Sequence, residues 1–145
     1  MNGHEWVDLG LPSGTKWATM NVGASSPSDY GSYYAWGETS PKSNYTWQNL
    51  KYFISGDRFD NLKFSKYVSD STHGTVDNKK ELDPSDDAAY VNWGSGWRMP
   101  SYAQQDELLW FIGGRVMWFF VGMTNFKGNY VNPGMCQLTY KCGKV

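Results

Sequence analysis

Within the nine residues Trp93-Gly94-Ser95-Gly96-Trp97-Arg98-Met99-Pro100-Ser101, this chain stops one helix, turns on glycines and starts the next. Ahead of it, Ser85 reads as the cap of the first helix. Asp86 and Asp87 then fall in the first turn, where the helix dipole favours anions. Gly94 ends that helix. Ser101 caps the second, and Gln104 completes a Ser-x-x-Gln capping box. Leu108, Leu109 and Ile112 are expected to form its inner face, and Gly113-Gly114 ends it. The turn between them crowds two indoles and a guanidinium. Arg98 is expected either between Trp93 and Trp97, where cation–π attraction is worth roughly 0.5–2 kcal/mol, or bonded to carbonyls of the turn. In both cases Trp93, Trp97, Arg98 and Ser101 read as structural, and the stretch holds neither a nucleophile nor a metal-ligand set.

The remainder reads as short strands and loops. Residues 5–9 alternate, with Val7 and Leu9 on one face. Leu11-Pro12-Ser13-Gly14 supplies turn chemistry. Lys16 to Val22 alternates again, so the two segments predict an antiparallel hairpin. Tyr33 to Trp36 reads as a short buried strand, and Tyr45 to Phe53 as strand or irregular chain. Asp57 to Lys80 is polar without a sustained period and reads as long connecting structure, with one short strand at Phe64 to Val68. Val116 to Val121 reads as a strand buried on both faces. The sum is an α+β fold, with two helices packed on a small twisted antiparallel sheet, in a single domain spanning 1–145.

Composition narrows the function. A net charge of −1 argues against a nucleic-acid binder, which needs a basic face. The longest apolar run, Trp110 to Met123, contains Arg115 and is too short to span a bilayer. Met1 is followed by polar residues, so no signal peptide is expected in this chain. With eight Trp, ten Tyr and seven Phe, aromatics dominate the core, and some rings must reach the surface.

Several chemistries can be weighed residue by residue. Asp77, Glu81, Asp83, Asp86 and Asp87 offer the hard oxygens that Ca²⁺ takes, but not at EF-hand spacing. Solvated acids at a helix start are the preferred reading, and no metal or cofactor is expected. His4 and His73 stand far apart and outside any His-Glu-x-x-His motif. Ser13 and Ser95 lack the Gly-x-Ser-x-Gly context of a nucleophile elbow. No catalytic residue is therefore assigned. Among the rings near the polar loops, Tyr34 and Trp36 are expected inside. Tyr30, Tyr45 and Trp47 are left as the candidate ligand-binding set. Cys136 and Cys142 are expected to be free thiols. Six residues of strand put them about 20 Å apart, while a bridge needs Cα atoms within about 7 Å.

Several separated motifs carry a resemblance. They are His4-Glu5-Trp6-Val7-Asp8-Leu9-Gly10-Leu11-Pro12-Ser13-Gly14, Trp17-Ala18-Thr19-Met20-Asn21-Val22-Gly23-Ala24, Tyr34-Ala35-Trp36-Gly37-Glu38-Thr39, Asp86-Asp87-Ala88-Ala89 and Trp93 to Ser101. In this order they resemble the Fibrobacter succinogenes major paralogous domain family over residues 3–109. Residues 110–145 diverge: the family's Cys-Thr-Trp stretch and Leu-Pro-Ala-Ala-Gly motif do not follow. The resemblance implies a C-type lectin-like fold and an exported or cell-surface bacterial protein. The Glu-Pro-Asn, Gln-Pro-Asp and Trp-Asn-Asp motifs of Ca²⁺-dependent sugar-binding lectins are absent. The expected role is a non-catalytic module binding protein or glycan through loops, or serving structure alone. One alternative is an enzyme akin to the formylglycine-generating enzyme, which shares that fold and uses two cysteines near its C-terminal end. Its pair is one residue closer together, with an arginine-rich intervening sequence that this chain lacks. The other alternative is a truncated product without binding activity.

Overall fold

The computed structural model of the chain describes residues 3–113. It is an α+β protein with two small antiparallel sheets and two helices. The expected strand at Val116 to Val121 and the two cysteines lie outside the described residues.

The predicted hairpin forms. Strand β1, Trp6–Asp8, pairs antiparallel with β2, Lys16–Ala18, with Val7 opposite Trp17. The amide of Gly14 closes the intervening turn onto the carbonyl of Leu11 at 2.8 Å. Successive strand residues face opposite ways, and β2 uses both faces. Trp17 packs with Leu11, Leu9 and Leu108, while Ala18 enters the larger core. β1 differs from the expected pattern, because Val7 and Trp6 are exposed. The Lys16 ammonium covers the Trp6 ring at 4.2 Å.

A single sheet was expected, but a second pair stands apart from the hairpin. Strand β3, Phe53–Ser55, pairs with β4, Lys63–Phe64, across an irregular register. Between and around them the chain makes single 3₁₀ turns at Trp47–Asn49, Phe59–Asn61, Ser71–His73 and Pro84–Asp86. Asp and Asn side chains drive this, offering the backbone local hydrogen bonds in place of a ladder. Asn61, for example, accepts from the amides of Asp57 and Arg58. Tyr33 to Trp36, expected as a strand, has no ladder partner among the described residues. A turn closes it instead, from the Glu38 amide to the Ala35 carbonyl.

Helix α1, Ala88–Trp93, starts later than the Ser85 cap implies. Asp87 is the cap, its carboxylate accepting from the Tyr90 amide at 3.0 Å. The reason lies across the fold: lysines from the loops hold the Asp86 carboxylate, so the chain first makes the 3₁₀ turn and only then enters the helix. Gly94 ends α1 at φ +93, a conformation that favours glycine. Helix α2, Tyr102–Gly113, begins with the predicted box: the Ser101 hydroxyl accepts from the Gln104 backbone amide, and Gln104 Oε1 accepts from the Ser101 backbone amide. Leu108 faces inward as expected, but Leu109 is exposed. Gln104 and Glu107 add polar contacts to the hairpin beside Leu108, through Thr15 and Ser13.

The core joins Ala18, Val22, Tyr34, Ala88, Ala89, Trp93, Trp97 and Met99. Trp93 and Trp97 meet edge to face, with centroids 5.0 Å apart. His4 stacks on Trp93 at 4.3 Å, so an imidazole takes the position expected of Arg98. Arg98 follows the other expectation. Its guanidinium donates to the Met99 carbonyl at 2.9 Å and to Gln104 Oε1 at 2.6 Å, joining the turn to α2. No helix among the described residues is long and apolar enough to cross a membrane.

Candidate ligand-binding surface

Two carboxylates organise the loops between β2 and α1. Glu38 Oε1 accepts from the Lys42 ammonium at 2.7 Å and from the Lys51 amide at 2.9 Å. Asp86 is 1% exposed. Its Oδ1 accepts from the Lys51 ammonium at 2.7 Å. Its Oδ2 accepts from Lys66 at 2.5 Å and from the Tyr67 hydroxyl at 2.6 Å. Lys51 thus ties the two hubs, its amide on one and its ammonium on the other. A buried charge is tolerable only when it is paired and hydrogen-bonded, and Asp86 meets both conditions.

The cluster continues outward. Lys66 also reaches Asp83 at 2.6 Å, and Asp83 pairs with Lys79. The Tyr67 hydroxyl accepts from the Asp83 amide. Tyr67 has φ +62, and the Asp77 carboxylate caps that strained bend by accepting from the amides of Tyr67 and Val68. Tyr52 and Trp36 both meet the Tyr67 ring edge on. The expected solvated acids are therefore mostly construction elements: Asp86 and Asp87 are buried, and Asp77 and Asp83 are bonded.

The electrostatics follow from these contacts. Burial alone would raise the Asp86 carboxyl. Donors from Lys51, Lys66, Tyr52 and Tyr67 reverse this and hold it well below the usual carboxylate range. Asp83 and Asp86 together push the Lys66 ammonium up. Burial raises the Tyr67 hydroxyl, and Asp86 adds to it. Asp86 and Lys66 are thus fixed in their charged forms at neutral pH, the reverse of groups tuned for proton transfer. Burial also pushes up the Asp87 carboxyl. Among the described residues, no group of three or more His, Cys, Asp or Glu side chains could hold a metal ion.

The residues singled out from the sequence fall in different places. Tyr30 is 69% exposed. Tyr45 is half-buried, its hydroxyl donating to the Tyr33 carbonyl at 2.6 Å and accepting from the Lys42 amide. Trp47 is half-buried as well and packs on Phe59 and Phe64, in a separate cluster. Tyr34 is buried as expected, but Trp36 is 39% exposed, because it enters a turn at Gly37, which has φ +79. His73 bonds the Leu62 carbonyl, and Ser13 bonds Glu107. Sequence reasoning missed the Asp86–Lys51–Lys66–Tyr67 cluster. The only available signal was a Lys-Tyr pair repeated at 51–52 and 66–67.

No protein-family model, curated protein or solved structure matches this chain.

Proposed function

We propose that this chain is a non-catalytic ligand-binding module of an exported or cell-surface bacterial protein. In this reading it is a member of the Fibrobacter succinogenes major paralogous domain family on a C-type lectin-like scaffold, and its loops take a protein or glycan ligand. One observation carries the reading. The irregular chain between β2 and α1 is pinned by buried and half-buried polar hubs, Glu38 and Asp86, while Tyr30, Tyr33 and Trp36 stay exposed. Rigid loops that present aromatic rings lose little entropy on binding, and binding residues concentrate on such loops. The hub carboxylate and amine are held in their charged forms, which suits a fixed display surface better than acid–base chemistry.

The test is to immobilise the full chain and present it to glycan and protein arrays. Saturable binding of at least one ligand, weakened in Trp36→Ala, is expected. Absence of saturable binding on both arrays by a folded sample refutes the proposal.

A further inference from the structure

Strand β1 has an edge left unpaired among the described residues. The Thr19 amide donates to the Glu5 carbonyl at 3.2 Å, and Val7 stands opposite Trp17. Backbone groups alternate sides along a strand. Those of Glu5 and Val7 therefore point at β2, and those of Trp6 and Asp8 point away from it. The sheet has two strands, and these outward groups of Trp6 and Asp8 meet no hydrogen-bond partner among the described residues. All three residues of β1 are exposed, with Trp6 at 40% and Val7 at 39%. Those two side chains stand on opposite faces, so neither face of the edge is closed over. Natural edges are commonly kept from pairing by Pro, Lys or a bulge. β1 has none of the three, and its register with β2 is regular. Two strands of three residues are also too little to make a stable sheet on their own.

We infer that β1 pairs antiparallel with β1 of a second copy of this chain, about a two-fold axis at Val7. The phase of the outward groups allows only a few registers. Centring on Glu5 or on Asp8 sets like charges directly opposite, which destabilises a strand pair. Centring on Trp6 sets Asp8 against His4, which lies outside the strand and is held by its stack on Trp93. Centring on Val7 sets Trp6 of each copy against Asp8 of the other, and each such pair exchanges both of its hydrogen bonds. Every open backbone group of the strand is then used, and none is needed from outside it. The side chains fit the same register. Val7 already faces the buried Trp17, so Val7 against Val7 continues one apolar row, Trp17, Val7, Val7, Trp17, across the four strands of two hairpins. On the other face, Asp8 has Lys16 opposite it on its own chain and Trp6 of the copy on its other side. The contact is the same patch on both copies, as a closed two-fold dimer requires. The pairing does not depend on the binding-module reading above.

One short strand buries less than the roughly 1,200 Å² of a stable interface, so the dimer is expected to be weak, with Kd about 10⁻⁴ M. Sedimentation equilibrium of the full chain, from about 10 µM to about 1 mM so as to span that Kd, should show reversible exchange between monomer and dimer. Val7→Lys sets two like charges at the axis and should weaken the dimer at least about tenfold, and Val7→Glu should do the same. Because residue 7 faces only itself, mixing these two variants should restore a one-to-one pair, identified by its mass in native mass spectrometry. Trp110→Ala, removing a ring that is 79% exposed on α2, should leave the exchange unchanged. Amide hydrogen exchange reads the same contact without a substitution. The Trp6 and Asp8 amides should slow as the concentration rises, while the Val7 amide, already directed at β2, should not. A monomer at every concentration overturns the inference, and is the result if another part of the chain or a different protein covers the edge. A dimer that persists in Val7→Lys, or is lost in Trp110→Ala, overturns it as well, as does failure of the two residue-7 variants to pair with each other. Should either of those variants be unfolded by circular dichroism, the amides decide, and no concentration-dependent slowing at Trp6 and Asp8 overturns the inference.

Discussion

Replacing Asp86 with Asn tests whether the loops are held from their centre. The substitution preserves shape and keeps one acceptor for the Tyr67 hydroxyl. It removes the charge that faces the Lys51 and Lys66 ammonium groups at 2.7 and 2.5 Å. Stripping one partner from a fully buried pair costs about 3–5 kcal/mol. Both lysines keep some access to water, which screens what they lose. A loss of about 2–3 kcal/mol is therefore expected, and Asp86→Ala should exceed it by leaving Tyr67 without an acceptor. Urea unfolding followed by tryptophan fluorescence should show the midpoint falling by about 1–2 M. The sign with pH is fixed by the depressed folded-state carboxyl. Its contribution is complete above the unfolded carboxylate pKa near 4 and drains as pH falls towards the lower folded value. The difference between wild type and Asp86→Asn should thus narrow in acid. A midpoint unchanged at pH 7, or a difference that widens below pH 4, would refute the reasoning.

Four further substitutions have outcomes fixed by the same contacts. Gln104 joins Arg98, the Ser101 amide and the Thr15 hydroxyl, so Gln104→Ala should cost about 2 kcal/mol by the same assay. Arg98→Ala should cost more than about 1 kcal/mol, and the double variant should be clearly sub-additive, because one hydrogen bond is lost in both. Gly31→Ala, forced against the Val22 carbonyl at positive φ, should destabilise by about 1–3 kcal/mol, and an unchanged melting curve would show that the segment is loosely held. His4 is held below its ordinary pKa by burial against Trp93, so its protonation opposes folding. Stability should fall as pH drops below about 6.5 and level off once the folded-state imidazole titrates. His4→Phe should remove that slope between about pH 7 and 5.

What could be read from the sequence was local. Ser101 and Gln104 are three positions apart, and their reciprocal bonds depend on nothing else, so the second helix start was legible. The turn at Leu11 to Gly14 was legible for the same reason. The first helix start was not, because Asp86 is claimed by Lys51, 35 residues away. No local rule can know that a carboxylate beside a cap position is committed elsewhere. Trp36 was assigned to the core on its apolarity, yet the turn at Gly37 leaves it at the surface. Tyr45 and Trp47 were put at the surface on the polarity of their neighbours. A hydroxyl bond to the Tyr33 carbonyl and contacts with Phe59 and Phe64 draw them inward. Of the candidate rings Tyr30, Tyr45 and Trp47, the first is exposed and the other two are half-buried.

The shortness of the strands accounts for both the charge pattern and the display of rings. A loop that crosses a core without a ladder still has to satisfy its backbone groups. Between β2 and α1, side chains do much of this work. Asp77 holds the Tyr67–Val68 bend, Asn61 the Asp57–Arg58 turn, Glu38 the Lys51 amide and Tyr45 the Tyr33 carbonyl. A segment polar enough to look solvated is thereby fixed in one conformation, its acids engaged rather than available. Tyr67 and Tyr52 are drawn into the hub, and Tyr45 into the loop, while Tyr30, Tyr33 and Trp36 stay largely outside. The segment that bears them is itself held by the Asn21 side chain, the Tyr45 hydroxyl and two backbone hydrogen bonds, not by the Glu38 and Asp86 carboxylates.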